Sequence, residues 1–217
     1  MLRLAHRGDW RHAPENSIAA LRAALAVPGC DGLEFDVRLS GDGVPVLLHD
    51  ETLERVQGRP ERVDTLPARA LAELGVPSLA DALAAVPHGA VLDVELKDRH
   101  DRTVVEVLAA GRGPSLVNAV VSSFDTDTLE RIGGLAPAWP RWLNAWDLLP
   151  GTIQAATELG CVAIAADFHV IDEGALADAR HAGIDVAAFT VRRRTTFGRL
   201  QRLGVIAACV EAAALDG

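Results

Sequence analysis

Apolar residues fall along this chain in two alternating patterns: short dense runs with strand-like alternation, and longer segments in which they return every third or fourth position. The dense runs occupy residues 2–5, 32–38, 91–97, 117–122, 141–145, 161–166, 185–190 and 205–210, and predict β-strands. The helical period governs 16–26, 78–86, 101–110, 126–133, 152–159, 173–182 and 195–203. In the first of these helices Ile18, Leu21 and Leu25 share a face, Pro14 and Asn16 stand before it as start signals, and Pro28-Gly29 ends it. Ser78 is placed to cap the second. One further short run, 44–48, is reached through the turn Ser40-Gly41-Asp42-Gly43 and is expected as a local β extension of the second strand. Residues 50–77 are polar and irregular with isolated leucines, and are expected to form a long ordered loop over the functional site.

Alternation of strand and helix demands parallel strands joined by right-handed crossovers, and eight repeats is the number at which such a sheet closes around a side-chain-filled interior. The expected fold is therefore α/β, a (β/α)8 TIM barrel, as a single domain over residues 1–217. The balance of 49% apolar and 24% charged residues is that of a globular chain and argues against long disorder.

Charge narrows the partners. The formal net charge of −9, with Arg192-Arg193-Arg194 as the one basic cluster, leaves no extended positive surface for a nucleic-acid backbone. A small-molecule substrate is expected, and the oligomeric state stays open. Cys30, Cys161 and Cys209 stand far apart without metal-ligand spacing and are expected as apolar packing residues in a reducing compartment. His6, Arg7 and Asp9 interrupt any leader-like apolar stretch, and no run is long enough to span a bilayer, so a cytoplasmic location without stable membrane insertion is expected.

Candidate chemistry collects at strand ends. Glu34 and Asp36 are two residues apart in one strand, so their carboxylates point the same way. The same parity puts Asp93, Glu95 and Lys97 on one face of the next, and charges on a buried face need partners. Clustered carboxylates would repel unless a cation joins them. With Glu34, Asp36 and Glu95 as oxygen ligands and no thiolate or paired-histidine spacing, one hard divalent cation, Mg²⁺ or Ca²⁺, is expected. His6 and Arg7 come directly after the first strand, a proton carrier beside an anion clamp, and His49 follows the β extension.

The segments His6-Arg7-Gly8, Pro14-Glu15-Asn16-Ser17, Asp31-Gly32-Leu33-Glu34-Phe35-Asp36-Val37 and Asp42-Gly43-Val44-Pro45-Val46-Leu47-Leu48-His49-Asp50, in this order, resemble the glycerophosphodiester phosphodiesterase family. The resemblance covers nearly the whole chain and implies a (β/α)8 barrel that hydrolyses glycerophosphodiesters to glycerol 3-phosphate and an alcohol with a divalent cation. It implies His6 and His49 as the acid–base pair, and Arg7 and Lys97 as holders of the phosphate oxygens. Glu15 is expected either as a neighbour of the metal or as a helix-start residue.

Two stretches depart from the family's pattern. Phe189-Thr190-Val191-Arg192 stands where Trp-Thr-Val-Asn is usual, which keeps Phe189 as an aromatic wall for the glycerol backbone but puts an arginine in place of a small amide. Glu211 is the nearest counterpart of the aspartate that usually ends the last strand. Trp139, Trp142 and Trp146 cluster around the fifth strand and are expected mainly as packing residues, with the lining of a headgroup pocket as the alternative. The competing expectations are a lysophospholipid-type phosphodiesterase on the same barrel and a non-catalytic phosphodiester-binding module. An exposed apolar lip would favour the first of these, and none is evident in the sequence. The second predicts loss of a histidine or a ligand, and none is lost.

Overall fold

The computed structural model describes residues 1–216. The strands β1 (Leu2–His6), β2 (Gly32–Leu39), β4 (Val91–Leu96), β5 (Ala119–Ser123), β6 (Arg141–Ala145), β7 (Ala163–Asp167), β8 (Asp185–Val191) and β9 (Ala207–Val210) pair in parallel, each with the next. Pairing of β1 with both β9 and β2 closes the barrel. The β extension is β3 (Pro45–Leu47), antiparallel to β2 with Val37 opposite Leu47. Helices α1 (Ile18–Leu25), α4 (Leu79–Ala85), α5 (Arg102–Arg112), α6 (Thr126–Leu135), α7 (Pro150–Glu158), α8 (Glu173–His181) and α9 (Arg194–Leu203) follow the barrel strands. Ser17, Ser78, Asp101, Asp125 and Asp172 each cap a helix by accepting from its first-turn N–H groups.

Strand parity sorts the side chains into two regions. Outward residues such as Leu33, Phe35, Val37, Leu92, Val94, Leu96, Val121, Ile164 and Val210 pack under the helices in the main core. Inward residues Leu4, Val120, Trp142, Ala163, Ala165, Ala187 and Ala207 fill the barrel's interior, where one indole is packed among four alanines. Toward the carboxyl ends, the inward positions of β1, β2 and β4 carry His6, Glu34, Asp36, Asp93 and Glu95, and β9 adds Cys209 with Glu211 just beyond it.

Residues 50–77 are more ordered than a loop. They hold α2 (Glu54–Gln57), a 3-10 turn at Val63–Thr65 and α3 (Ala68–Glu73), closed over a satellite core of Val46, Leu48, Leu53, Val63, Leu71 and Val76. Of the isolated leucines of the sequence, Leu53 and Leu71 are buried in this core and Leu66 and Leu74 pack against it. Cys161 and Cys209 are buried and Cys30 half-buried, all three as free thiols. No helix among the described residues is long and apolar enough to cross a membrane.

Candidate active site

His6 ends β1 with its ring inward: Nδ1 lies 2.5 Å from Glu211 Oε1 and Nε2 3.8 Å from Glu34 Oε2. The chain then turns sharply through Arg7 and Gly8, with φ of 59° and 81°. A Cβ on Gly8 would lie 2.6 Å from the Ala20 carbonyl carbon, so only glycine fits beneath α1. The left-handed backbone of Arg7 costs roughly 1–2 kcal/mol. It turns the Arg7 N–H onto Glu34, donating to the carbonyl oxygen at 2.8 Å and to Oε2 at 3.1 Å. The guanidinium lies 3.0 Å from Asp36 Oδ2 through Nε and donates to Glu15 at 2.9 Å.

Glu34 and Asp36 share the inward face of β2, both fully enclosed. Asn16, also buried and left-handed at φ 57°, donates from Nδ2 to Asp36 Oδ2 at 2.8 Å and accepts from the Asp36 N–H at 3.3 Å. Asp93 and Glu95 face inward from β4, and Lys97, just beyond it, donates to Glu95 and lies 3.0 Å from Asp36 Oδ1. The Leu48 N–H donates to the Asp36 carbonyl at 3.2 Å, which extends the β3 pairing far enough to bring His49 to the same strand end. His49 Nδ1 lies 2.6 Å from Asp50 Oδ1; Arg55 donates to Asp50 Oδ2 at 2.6 Å and to both oxygens of Glu15.

Burial and mutual repulsion make the carboxylates unequal. Burial, with the charges of Asp36 and Glu95, pushes Glu34 well above the usual carboxylate range against the pull of Arg7. Burial and Asp36 likewise raise Glu95 against Lys97, and burial pushes Asp93 up to about 7 against a hydrogen bond from Ser122. At Asp36 burial is outweighed by Lys97, Arg7, His49 and His6, so its carboxyl is held low. Desolvation lowers His49.

Seven of the eight residues expected at the site, His6, Arg7, Glu34, His49, Glu95, Lys97 and Phe189, line one cavity of about 550 Å³; Asp36 lies beneath it, behind Arg7 and Lys97. Phe189 forms its apolar wall with Phe124 and Trp146, their ring centroids 5.2 to 5.6 Å apart. Trp146 and Trp10, both lining the cavity, are 67% and 44% exposed, so the apolar lip that the sequence did not reveal is present at the mouth. The three clustered tryptophans part company: Trp139 packs outside the barrel and donates to the Pro114 carbonyl, Trp142 fills the interior, and Trp146 forms the rim. Glu15 does not cap α1, since Ser17 does, and it bridges Arg7 and Arg55 instead. Asn16 and Asp50 carry site contacts that sequence reasoning did not assign, and Trp146 alone of the three tryptophans takes the pocket-lining alternative. Asp50 could have been found as the carboxylate adjoining His49.

The donor set fits a hard cation. Oxygens of Glu34, Asp36 and Glu95 all lie within 4.8 Å of one another, and two oxygens on one Mg²⁺ or Ca²⁺, at about 2.0–2.6 Å each, can be no more than about 5 Å apart. Glu34 Oε1 and Asp36 Oδ1 are buried without an aligned hydrogen bond, although Lys97 Nζ stands near the latter. These are acceptor sites that a cation would satisfy.

Over 52 residues the chain is 52% identical to a glycerophosphodiester phosphodiesterase of Caldanaerobacter subterraneus subsp. tengcongensis, a match spanning 24% of this chain and only 21% of that protein. The uncharacterized protein YqiK of Bacillus subtilis is 31% identical over 92% of this chain and 90% of its own length. The structure of an Oleispira antarctica phosphodiesterase, in complex with the product sn-glycerol-3-phosphate, superposes with a TM-score of 0.87 at 27% identity, covering 97% of this chain and 92% of that one. The sequence profile of the glycerophosphoryl diester phosphodiesterase family matches residues 6–214, from the histidine that ends β1 to the turn that follows β9, and the chain belongs to that family.

Proposed function

We propose that this protein hydrolyses glycerophosphodiesters to glycerol 3-phosphate and an alcohol, with one Mg²⁺ or Ca²⁺ held by Glu34, Asp36 and Glu95. The observation that carries the reading is the meeting of three cation-competent carboxylates, two imidazoles and two fixed cations at one cavity, with Asp36 in its floor. The glycerol 3-phosphate bound to the Oleispira relative supports the substrate class. Arg7 and Lys97 bind the non-bridging phosphate oxygens, the first by a planar fork and the second as a point charge. The bound cation supplies charge that stabilises the negative charge developing on the phosphoryl group. Of His6 and His49, one takes a proton from the attacking oxygen and the other gives one to the leaving alcohol. Phe189, Trp146 and Phe124 shield the carbon skeleton of the substrate from water. The three free cysteines support a reducing, cytoplasmic setting.

The exposed lip of Trp146 and Trp10 favours a second reading, in which the leaving group or glycerol carries an acyl chain as in a lysophospholipid. One assay separates the two: chelator-stripped protein given glycerophosphocholine, glycerophosphoethanolamine, glycerophosphoglycerol or a lysolipid, with Mg²⁺ and Ca²⁺ returned separately. Activity on the water-soluble diesters that disappears with chelator and returns with one of the cations is the expected result. His6→Ala and His49→Ala should each lower the rate by on the order of 10² to 10⁴. Undiminished hydrolysis by both variants would overturn the assignment of the histidines.

A further inference from the structure

Two equivalent chains of contacts hold the two histidines. His49 Nδ1 meets Asp50 Oδ1 at 2.6 Å, and Asp50 Oδ2 accepts from Arg55 Nε at 2.6 Å. His6 Nδ1 meets Glu211 Oε1 at 2.5 Å, and Glu211 Oε2 accepts from Arg192 Nε at 2.7 Å. In one case the carboxylate is the next residue in sequence, and in the other it arrives from β9, at the opposite end of the chain. Both put one carboxylate oxygen on the ring and the other on an arginine. An ionised carboxylate can only accept, so Nδ1 carries the hydrogen in each ring and a neutral ring keeps its lone pair on Nε2.

We infer that Glu211, clamped by Arg192, is a positioning residue that fixes His6 in the Nδ1–H form with Nε2 turned toward Glu34, and that Glu211 and Arg192 act as a unit. The inference rests on the acid–base role proposed for His6. Both residues are anchored by their backbones at adjoining strand ends: the Glu211 N–H donates to the Val191 carbonyl at 2.9 Å, and the Arg192 carbonyl accepts from Ala214 at 3.2 Å. Glu211 is 7% exposed, so its orientation is set by these partners and not by water. A side chain shorter than glutamate would have to reach His6 and Arg192 from the same backbone position with one methylene fewer. The Arg192 side chain is 67% exposed, and an ion pair so open to solvent contributes little to folding. Its removal therefore separates a positioning role from a structural one.

The critical variant is Glu211→Gln. Arg192 donates, so it selects the amide oxygen and leaves the amide NH₂ facing His6. That NH₂ can only donate, which forces the ring hydrogen onto Nε2, the wrong form for a group that must take a proton there. Ring nitrogen spectra of the full chain labelled with nitrogen-15 histidine should show His6 protonated at Nδ1 in wild type and at Nε2 in Glu211→Gln. The same substitution should lower kcat on a glycerophosphodiester by about 10- to 100-fold with little change in KM. Glu211→Asp keeps the acceptor and should preserve the tautomer with a smaller loss of kcat. Adding Arg192→Ala to Glu211→Gln frees the amide to turn round and should recover part of the lost kcat, whereas a structural role predicts two losses that add. An unchanged His6 tautomer in Glu211→Gln, or further loss in the double variant, would overturn the inference. Wild-type protein without phosphodiesterase activity would instead defeat the functional proposal, and the ring spectra would still decide the tautomer.

Discussion

Glu34 is the residue with most to gain from a cation. It is 2% exposed, its Oε1 has no hydrogen-bond partner, and burial beside Asp36 and Glu95 opposes its ionisation. Glu34→Gln removes that repulsion, so the cation-free variant should be more stable to urea than cation-free wild type by about 1–3 kcal/mol. Its cation affinity by calorimetry should fall. A variant less stable than wild type in chelator would mean that Glu34 is already satisfied in the fold. Asn16 presents the opposite case, a neutral residue that Asp36 depends on through two hydrogen bonds. Asn16→Ala should cost about 2–4 kcal/mol, from the lost bond to a buried carboxylate together with a left-handed backbone that alanine tolerates poorly. Denaturant unfolding in the presence of chelator measures this, and a loss within about 0.5 kcal/mol, the usual range of a surface change, would deny Asn16 its supporting role. Strand parity made Glu34 and Asp36 legible in the sequence as a same-face pair. Asn16 was legible only as a helix-start signal, because its bonds to Asp36 depend on a backbone turn that leaves no periodic trace.

Strands and helices followed from hydrophobic period, and the differences lie at their ends and in one insertion. The run beginning at Val117 enters the ladder only at Ala119, and the run beginning at Cys161 only at Ala163. Val117 and Val162 are β-favouring residues about half exposed on the approach to the barrel; the Val117 N–H donates back to the Arg112 carbonyl at the end of α5, and Val162 bonds to Arg141 and Asp185 only at the first rung, before the ladder is regular. Residues 50–77 were legible only as an ordered loop. Their core draws single residues from several short turns, so neither a two-residue nor a 3.6-residue period can form. This small core fixes Asp50 and Arg55, and through them the ring of His49. Leu53→Ala should therefore destabilise the insertion by about 2–5 kcal/mol. Amide exchange should quicken across 50–77 while β4 to β9 stay protected, and kcat should fall with the loss of His49's support. Uniformly faster exchange through the barrel would show that the insertion is not a separate cooperative unit.

At the scale of the whole molecule, the barrel is packed in one half and charged in the other. The packed half depends on Trp142, whose ring fills the space left by Ala163, Ala165, Ala187 and Ala207. Trp142→Ala should cost about 3–5 kcal/mol, measured by urea unfolding, and a much smaller loss would mean that the alanine-lined strands can collapse inward. The barrel itself was legible from the count of eight repeats. The division of its interior was not, because a single tryptophan among alanines has meaning only once the staves face one another. In the charged half, Arg7 is shared between Asp36 and Glu15, Glu15 is shared with Arg55, and Lys97 is shared between Asp36 and Glu95. The resting site is thus a closed lattice of opposite charges. Without a divalent cation, a phosphate entering such a lattice would meet no idle cation and would have to exchange places with a carboxylate that already holds one. Under the hydrolysis proposed above, every pair that must open discounts ground-state attraction, so such a lattice would guard against tight capture of free phosphate and ease the departure of a phosphorylated product.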